Sequence, residues 1–85
     1  MAAKPVLSLY GRGGCSPCLE ADRVLRPIAA RLGLELRWVD VDLEDSPAAY
    51  RDEVPVVTLG TEVIARGRVV AATIEEAITV ATPSR

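Results

Sequence analysis

Two cysteines separated by two residues, Cys15 and Cys18, are the residues of this chain best suited to covalent chemistry. They are its only cysteines, and a helical pattern of apolar residues follows them directly. Cysteines in the first turn of a helix can close a small disulfide ring, and the helix N-terminus stabilises a thiolate on the leading sulfur. The spacing indicates thiol–disulfide exchange in which Cys15 attacks and Cys18 resolves the mixed disulfide.

Other uses of a cysteine pair are restricted by what the chain lacks. It contains no histidine, which excludes a Cys–His nucleophile of the papain kind. Activation of Cys15 must come from backbone amides at the helix start, from the Ser16 hydroxyl, or from Arg12 as a further candidate. A zinc site needs four ligands, and one chain supplies two sulfurs. Two alternatives stay open: a dimer pooling four cysteines around zinc or an iron–sulfur cluster, and a redox-inert interaction module.

Length and composition limit the number of domains and the kinds of protein this chain can be. The 85 residues suffice for one small domain over 1–85, and 49% of them are hydrophobic, which excludes a disordered chain. The net charge of −2 gives no reason to expect nucleic acid or an anionic membrane as partner. No apolar run reaches the roughly 18 residues of a membrane span, and the N-terminus lacks a secretory signal pattern. We expect a cytoplasmic monomer without a bound cofactor.

The apolar periodicity predicts seven elements around the cysteines. Strands are expected at 6–10, at 34–41 with a continuation to Asp42, at 55–59 and at 62–65. Helices are expected from Cys15 to just before Gly33, with a kink at Pro27, and in a short segment at 47–50. A last helix carries apolar residues from 74 to 81, with Thr73 and Glu76 as a capping box and Pro83 as its end. A start one turn earlier stays open for this helix. The order is β-α-β-α-β-β-α, with the first two strands parallel and the last two antiparallel.

Three segments give this pattern a family resemblance: LYGRGGCSPC at 9–18, VDVD at 39–42 and VPVV at 54–57. With their spacing, the chain resembles the glutaredoxin-like branch of the thioredoxin fold over nearly its whole length. The resemblance implies an α/β fold with a four-stranded mixed sheet flanked by helices, and thiol–disulfide oxidoreductase activity. It also implies a cis Val54–Pro55 bond facing Cys15, where the backbone of Val54 orients the substrate.

The resemblance leads us to expect substrate contacts near the two cysteines. The expected positions are Arg12, Ser16, Pro17, Val54, Pro55 and Gly67. Arg12 matches a basic position that binds a glutathione carboxylate in glutaredoxins. The expected substrate is a disulfide-containing protein or a small thiol, and the electron donor is either a reductase or glutathione.

Two departures from the glutaredoxin pattern argue against glutathione. Glu53 replaces the threonine that precedes Val-Pro and puts a negative charge near an anionic tripeptide. Arg66-Gly67 replaces a Gly-Gly pair, and Arg66 with Arg68 could instead meet an acidic substrate. Glutathione therefore remains a possible co-substrate only, and exchange between dithiols is favoured.

The inner residues of the motif also differ from those of most glutaredoxins. Pro17 precedes the second cysteine, as in thioredoxins, and removes a backbone donor that would stabilise the Cys15 thiolate. This predicts a reduction potential nearer the thioredoxin end of the scale, about −270 mV.

Four further side chains have expected structural roles. Trp38 is expected to be a packing or covering residue and not a stacking platform, and Tyr10 either lines the substrate groove or lies in the core. Asp40 and Asp42, two residues apart on a strand, are expected to share a face at a solvated strand end.

Overall fold

The computed structural model describes residues 5–43 and 45–81. Three helices and four strands follow one another in the predicted order. Their bounds are β1 Leu7–Gly11, α1 Ser16–Leu32, β2 Leu36–Asp40, α2 Ala48–Glu53, β3 Val56–Leu59, β4 Glu62–Arg66 and α3 Ala71–Ala81.

The strands form one mixed sheet in the order β2-β1-β3-β4. β1 and β2 are parallel, with Gly11 opposite Asp40, because α1 carries the chain back between them. β3 runs antiparallel to both of its neighbours, and Tyr10 of β1 lies opposite Val56. The predicted α/β architecture and strand directions are therefore confirmed.

One face of the sheet holds the core, because alternate strand residues point to the same side. Leu7 and Leu9 of β1 are buried there against α1 and α3. The core residues are Leu7, Leu9, Ala21, Leu25, Ile28, Ala29, Val57, Leu59, Ile74 and Ile78. Tyr10 points to the opposite face, where its ring meets Tyr50 of α2 edge to face, with centroids 4.8 Å apart. The helix that carries the cysteines is thus fixed on one side of the sheet, and α2 lies on the other.

The C-terminal end of α1 lies where the sequence predicts it. Gly33 caps the helix in the left-handed conformation, with φ of 69°, and its N–H points to the carbonyls of Ala29 and Ala30. The expected stop at Gly33 is confirmed, and the segment remains helical through Pro27.

Three other boundaries differ from expectation. α3 begins at Ala71, and the Ile74 N–H donates to the Val70 carbonyl at 3.0 Å, so Thr73 is not the N-cap and the alternative of a start one turn earlier is confirmed. Both Ile74 and Ile78 of this helix lie in the core. α2 extends beyond the expected 47–50 to Glu53, and β2 is shorter than 34–41. Pro83 lies outside the described residues.

Across the two described ranges, no helix is both long enough and apolar enough to cross a membrane.

Candidate active site

Cys15 occupies the N-cap of α1. Its backbone is extended, with φ of −94° and ψ of 105°, and Gly14 before it adopts a left-handed φ of 74°. Pro17 fits the first turn of the helix, where a backbone N–H has no intrahelical acceptor. The Cys15 Sγ accepts a hydrogen bond from the Cys18 N–H at 3.2 Å. The first sulfur therefore takes the place of the usual capping oxygen and faces the positive end of the helix.

The two cysteines are joined by a disulfide bond, with their Cα atoms 5.2 Å apart. Cys15 is half-buried, whereas Cys18 is completely buried. An incoming thiolate can therefore reach Cys15 from solvent but cannot reach Cys18 in this conformation.

Gly11 is a site residue that the sequence argument did not single out. Gly11 follows the strand expected at 6–10, but it is the last residue of β1, and its carbonyl accepts from the Val41 N–H at 2.9 Å. A Cβ atom on Gly11 would lie 3.0 Å from both Cβ and Sγ of Cys18, and 2.7 Å from Cη2 of Trp38. A side chain at this position would therefore require the Trp38 ring and the Cys18 side chain to shift.

A loop and a turn from the second half of the chain complete the site. The Val54–Pro55 peptide bond is cis, as the resemblance implied. Pro55 is buried, Val54 is half-buried, and the Pro55 carbonyl accepts a hydrogen bond from the Gly67 N–H at 2.7 Å. Gly67 has a left-handed φ of 69°, which favours glycine at this turn. The hydrogen bond ties the start of β3 to the end of β4.

A groove connects this turn with the cysteine helix. Its volume is about 350 Å³, and one wall is the first part of α1 while the other is the segment between β4 and α3. It is lined by Pro17, Glu20, Ala21, Val24, Gly67, Arg68, Val69, Val70 and Ala71. The fold thus brings together Pro17 and Gly67, which are far apart in sequence. Ser16, also expected at the site, is exposed at the first position of α1.

Arg12 is engaged by a carboxylate within the chain. Its Nη2 donates to Oδ1 of Asp42 at 3.4 Å, and its Nε lies 3.2 Å from Oδ2. Asp42 is held in turn by its own N–H, which donates to Oδ1 of Asp40 at 2.8 Å. The expectation that Asp40 and Asp42 share a strand face is wrong, because β2 ends at Asp40 and Asp42 lies in the following turn. A carboxylate that accepts from the backbone N–H two residues later is typical of an Asx turn.

Glu53 and Arg66 form an ion pair beside the Val54–Pro55 loop. The sequence predicts a separate role for each residue: Glu53 as a charge that repels glutathione, and Arg66 as a contact for an acidic substrate. The pairing compensates both charges, so neither acts alone at the mouth of the site.

Comparisons with known proteins agree with this arrangement. The model of a family described as Glutaredoxin-like domain (DUF836) matches residues 6–79. The chain belongs to this family. The solution NMR structure of protein Ne2328 from Nitrosomonas europaea is similar to this glutaredoxin-like domain, with 25% sequence identity over 91% of this chain and 94% of that one, and a TM-score of 0.71. A comparison with curated proteins finds no match.

The glutaredoxin-like domain offers no obvious metal site within the part of the chain that the structure describes. No three side chains among its cysteines, aspartates and glutamates there are grouped so that they could hold an ion. Asp40 and Asp42 are linked to each other and to Arg12 instead.

Proposed function

We propose that this glutaredoxin-like domain is a dithiol oxidoreductase that reduces disulfide bonds in other molecules. The observation that carries the proposal is the disulfide between a half-buried Cys15 at a helix N-cap and a completely buried Cys18. A thiolate at the N-cap is stabilised by the helix and is the better nucleophile, whereas a buried partner suits the later intramolecular step.

The reaction would proceed in two exchanges. In the reduced protein, the Cys15 thiolate attacks one sulfur of the substrate disulfide; a mixed disulfide forms and the first substrate thiolate leaves. The Cys18 thiol then loses its proton and attacks the Cys15 sulfur, which releases the second substrate thiolate and forms the Cys15–Cys18 disulfide. Both leaving thiolates take up protons, so the substrate gains two electrons and two protons.

The groove between α1 and the β4–α3 segment supports an extended substrate next to Cys15. We propose that Pro17 and Gly67 contact it, and that the backbone of Val54 pairs with it as an added strand would. Ser16 and Pro55 complete the expected contact surface. We propose a disulfide-containing protein as the main substrate and a flavoprotein reductase as the electron donor, with glutathione as a lesser co-substrate. A cytoplasmic monomer without a bound cofactor fits this role.

Two cysteine variants test the assignment. Cys15→Ser should abolish reduction of a model protein disulfide such as insulin, because the attacking sulfur is lost. Cys18→Ser should still attack but should accumulate a mixed disulfide on Cys15, visible as a mass increase of one substrate molecule. Full turnover by Cys15→Ser would contradict the proposal. Comparing rates with reduced glutathione and with a thioredoxin-reductase-type flavoprotein would identify the donor.

A further inference from the structure

Cys18 is shielded by a tryptophan on a neighbouring strand as well as by its own helix. Trp38 belongs to β2, and its Cη2 atom approaches the same point beside Gly11 that the Cys18 sulfur approaches. Because these atoms lie 2.7 Å and 3.0 Å from that point, they are at most about 6 Å apart. A favourable contact between sulfur and an aromatic ring has a separation of about 5 Å, which falls within this bound.

Part of the Trp38 side chain faces solvent. β2 is an edge strand of the sheet, and Trp38 is 38% exposed. The outer part of the ring borders a shallow groove of about 180 Å³, shared with Leu19 and with the ion pair of Asp22 and Arg26. On the β2 side, the indole is therefore the layer between water and the resolving cysteine, since Gly11 contributes no side chain.

We propose that Trp38 is a positioning residue that directs external thiols to Cys15 by closing the lateral approach to Cys18. The proposal rests on the proposed function, since it explains which sulfur enters the exchange. Attack on Cys15 breaks its bond to Cys18, and the Cys18 thiolate leaves and takes up a proton. Attack on Cys18 would instead release the Cys15 thiolate and leave the incoming thiol attached in the buried position. The shield suppresses this second, unproductive outcome.

The test measures where a limiting alkylating agent reacts. Reduced protein is treated with iodoacetamide, and the labelling rates of Cys15 and Cys18 are obtained by peptide mass spectrometry. Trp38→Ala should raise the labelling rate of Cys18 by about tenfold and leave that of Cys15 within about twofold, because only the lateral approach is opened. Trp38→Phe should restore the wild-type ratio, since an aromatic ring again covers the sulfur. Leu19→Ala is the matched control from the same groove and should leave the ratio unchanged.

A wild-type Cys18 labelling rate in Trp38→Ala would overturn the proposal. A second measurement needs no variant: Trp38 is the only tryptophan of the chain, so its fluorescence should differ between the oxidised and reduced protein. Identical emission in the two states would also contradict the proposal, and this readout remains if Trp38→Ala fails to fold. Loss of insulin reduction by the wild-type protein would instead reject the proposed function, because the labelling ratio does not depend on turnover.

Discussion

Arg66 at the end of β4 pairs with Glu53 at the end of α2, and this ion pair lies directly beside the Val54–Pro55 loop. The two residues approach because the hairpin of β3 and β4 returns the chain to the place where α2 ends. Each residue therefore compensates the charge of the other at this edge of the site.

Neutralising Glu53 and Arg66 one at a time should change kcat/KM for an anionic thiol in opposite directions. Glu53→Gln leaves the Arg66 charge uncompensated and should raise kcat/KM for glutathione about threefold at low ionic strength, whereas Arg66→Gln should lower it similarly. Added salt should reduce both effects, since the side chains are about half exposed. The double variant should lie near the wild type, and two single variants that shift the rate in the same direction would contradict this explanation.

Replacing Gly11 by alanine should destabilise the protein by about 1–3 kcal/mol, because the new methyl group would meet the Cys18 sulfur and the Trp38 ring. Gly13→Ala is a matched control, since a Cβ there has no atom within 4 Å and Gly13 is not among the glycines with positive φ. Its effect should stay within about 0.5 kcal/mol. Urea denaturation of the oxidised proteins gives both values, and equal midpoints for the two variants would show that the site tolerates the methyl group.

The Pro17 variant tests the control of redox potential. The Cys18 N–H already donates to the Cys15 sulfur, and Pro17→Ala adds a second N–H in the same turn. More donors stabilise the thiolate and hence the reduced form, so the potential should move from about −270 mV toward the −230 to −200 mV of glutaredoxins. Equilibration with defined glutathione buffers measures the shift. An unchanged potential would mean that the proline does not set it.

Tyr50 should anchor α2 to the sheet. No residue of α2 is buried, so the edge-to-face contact with Tyr10 is a main tertiary contact of this helix. Tyr50→Ala should cost about 1 kcal/mol and speed amide exchange across 48–53, while Tyr50→Phe should keep both near wild type. Faster exchange spread evenly over the whole domain would instead indicate a global effect.

The sequence predicted what depends on local patterns. The cysteine spacing, the proline in the first turn of α1 and the alternation of apolar residues specified the motif, the helix that carries it and the strand directions. Gly33 ends α1 because the residue after the helix adopts the left-handed conformation, which glycine does without steric cost.

Contacts between distant segments were not predictable in the same way. The need for Gly11 arises from side chains of α1 and β2 that meet only after the sheet has formed. The pairing of Glu53 with Arg66 depends on the return of the β3–β4 hairpin, and neither charge carries that information alone. At α3, the capping signal of Thr73 and Glu76 does not mark the helix start, which lies one turn earlier, where the Val70 carbonyl accepts from the Ile74 N–H.

The sheet order also divides the site between two parts of the chain. The N-terminal part carries both sulfurs, and the C-terminal part carries Val54–Pro55 and Gly67. Strands β1 and β3 join these parts through antiparallel pairing from Leu7 with Leu59 to Tyr10 with Val56. A chain cut between Asp45 and Ser46 would separate the two sulfurs from the proposed substrate contacts at Val54, Pro55 and Gly67. If the proposed function is correct, two such fragments fused to interacting proteins would report their association by regained disulfide reduction.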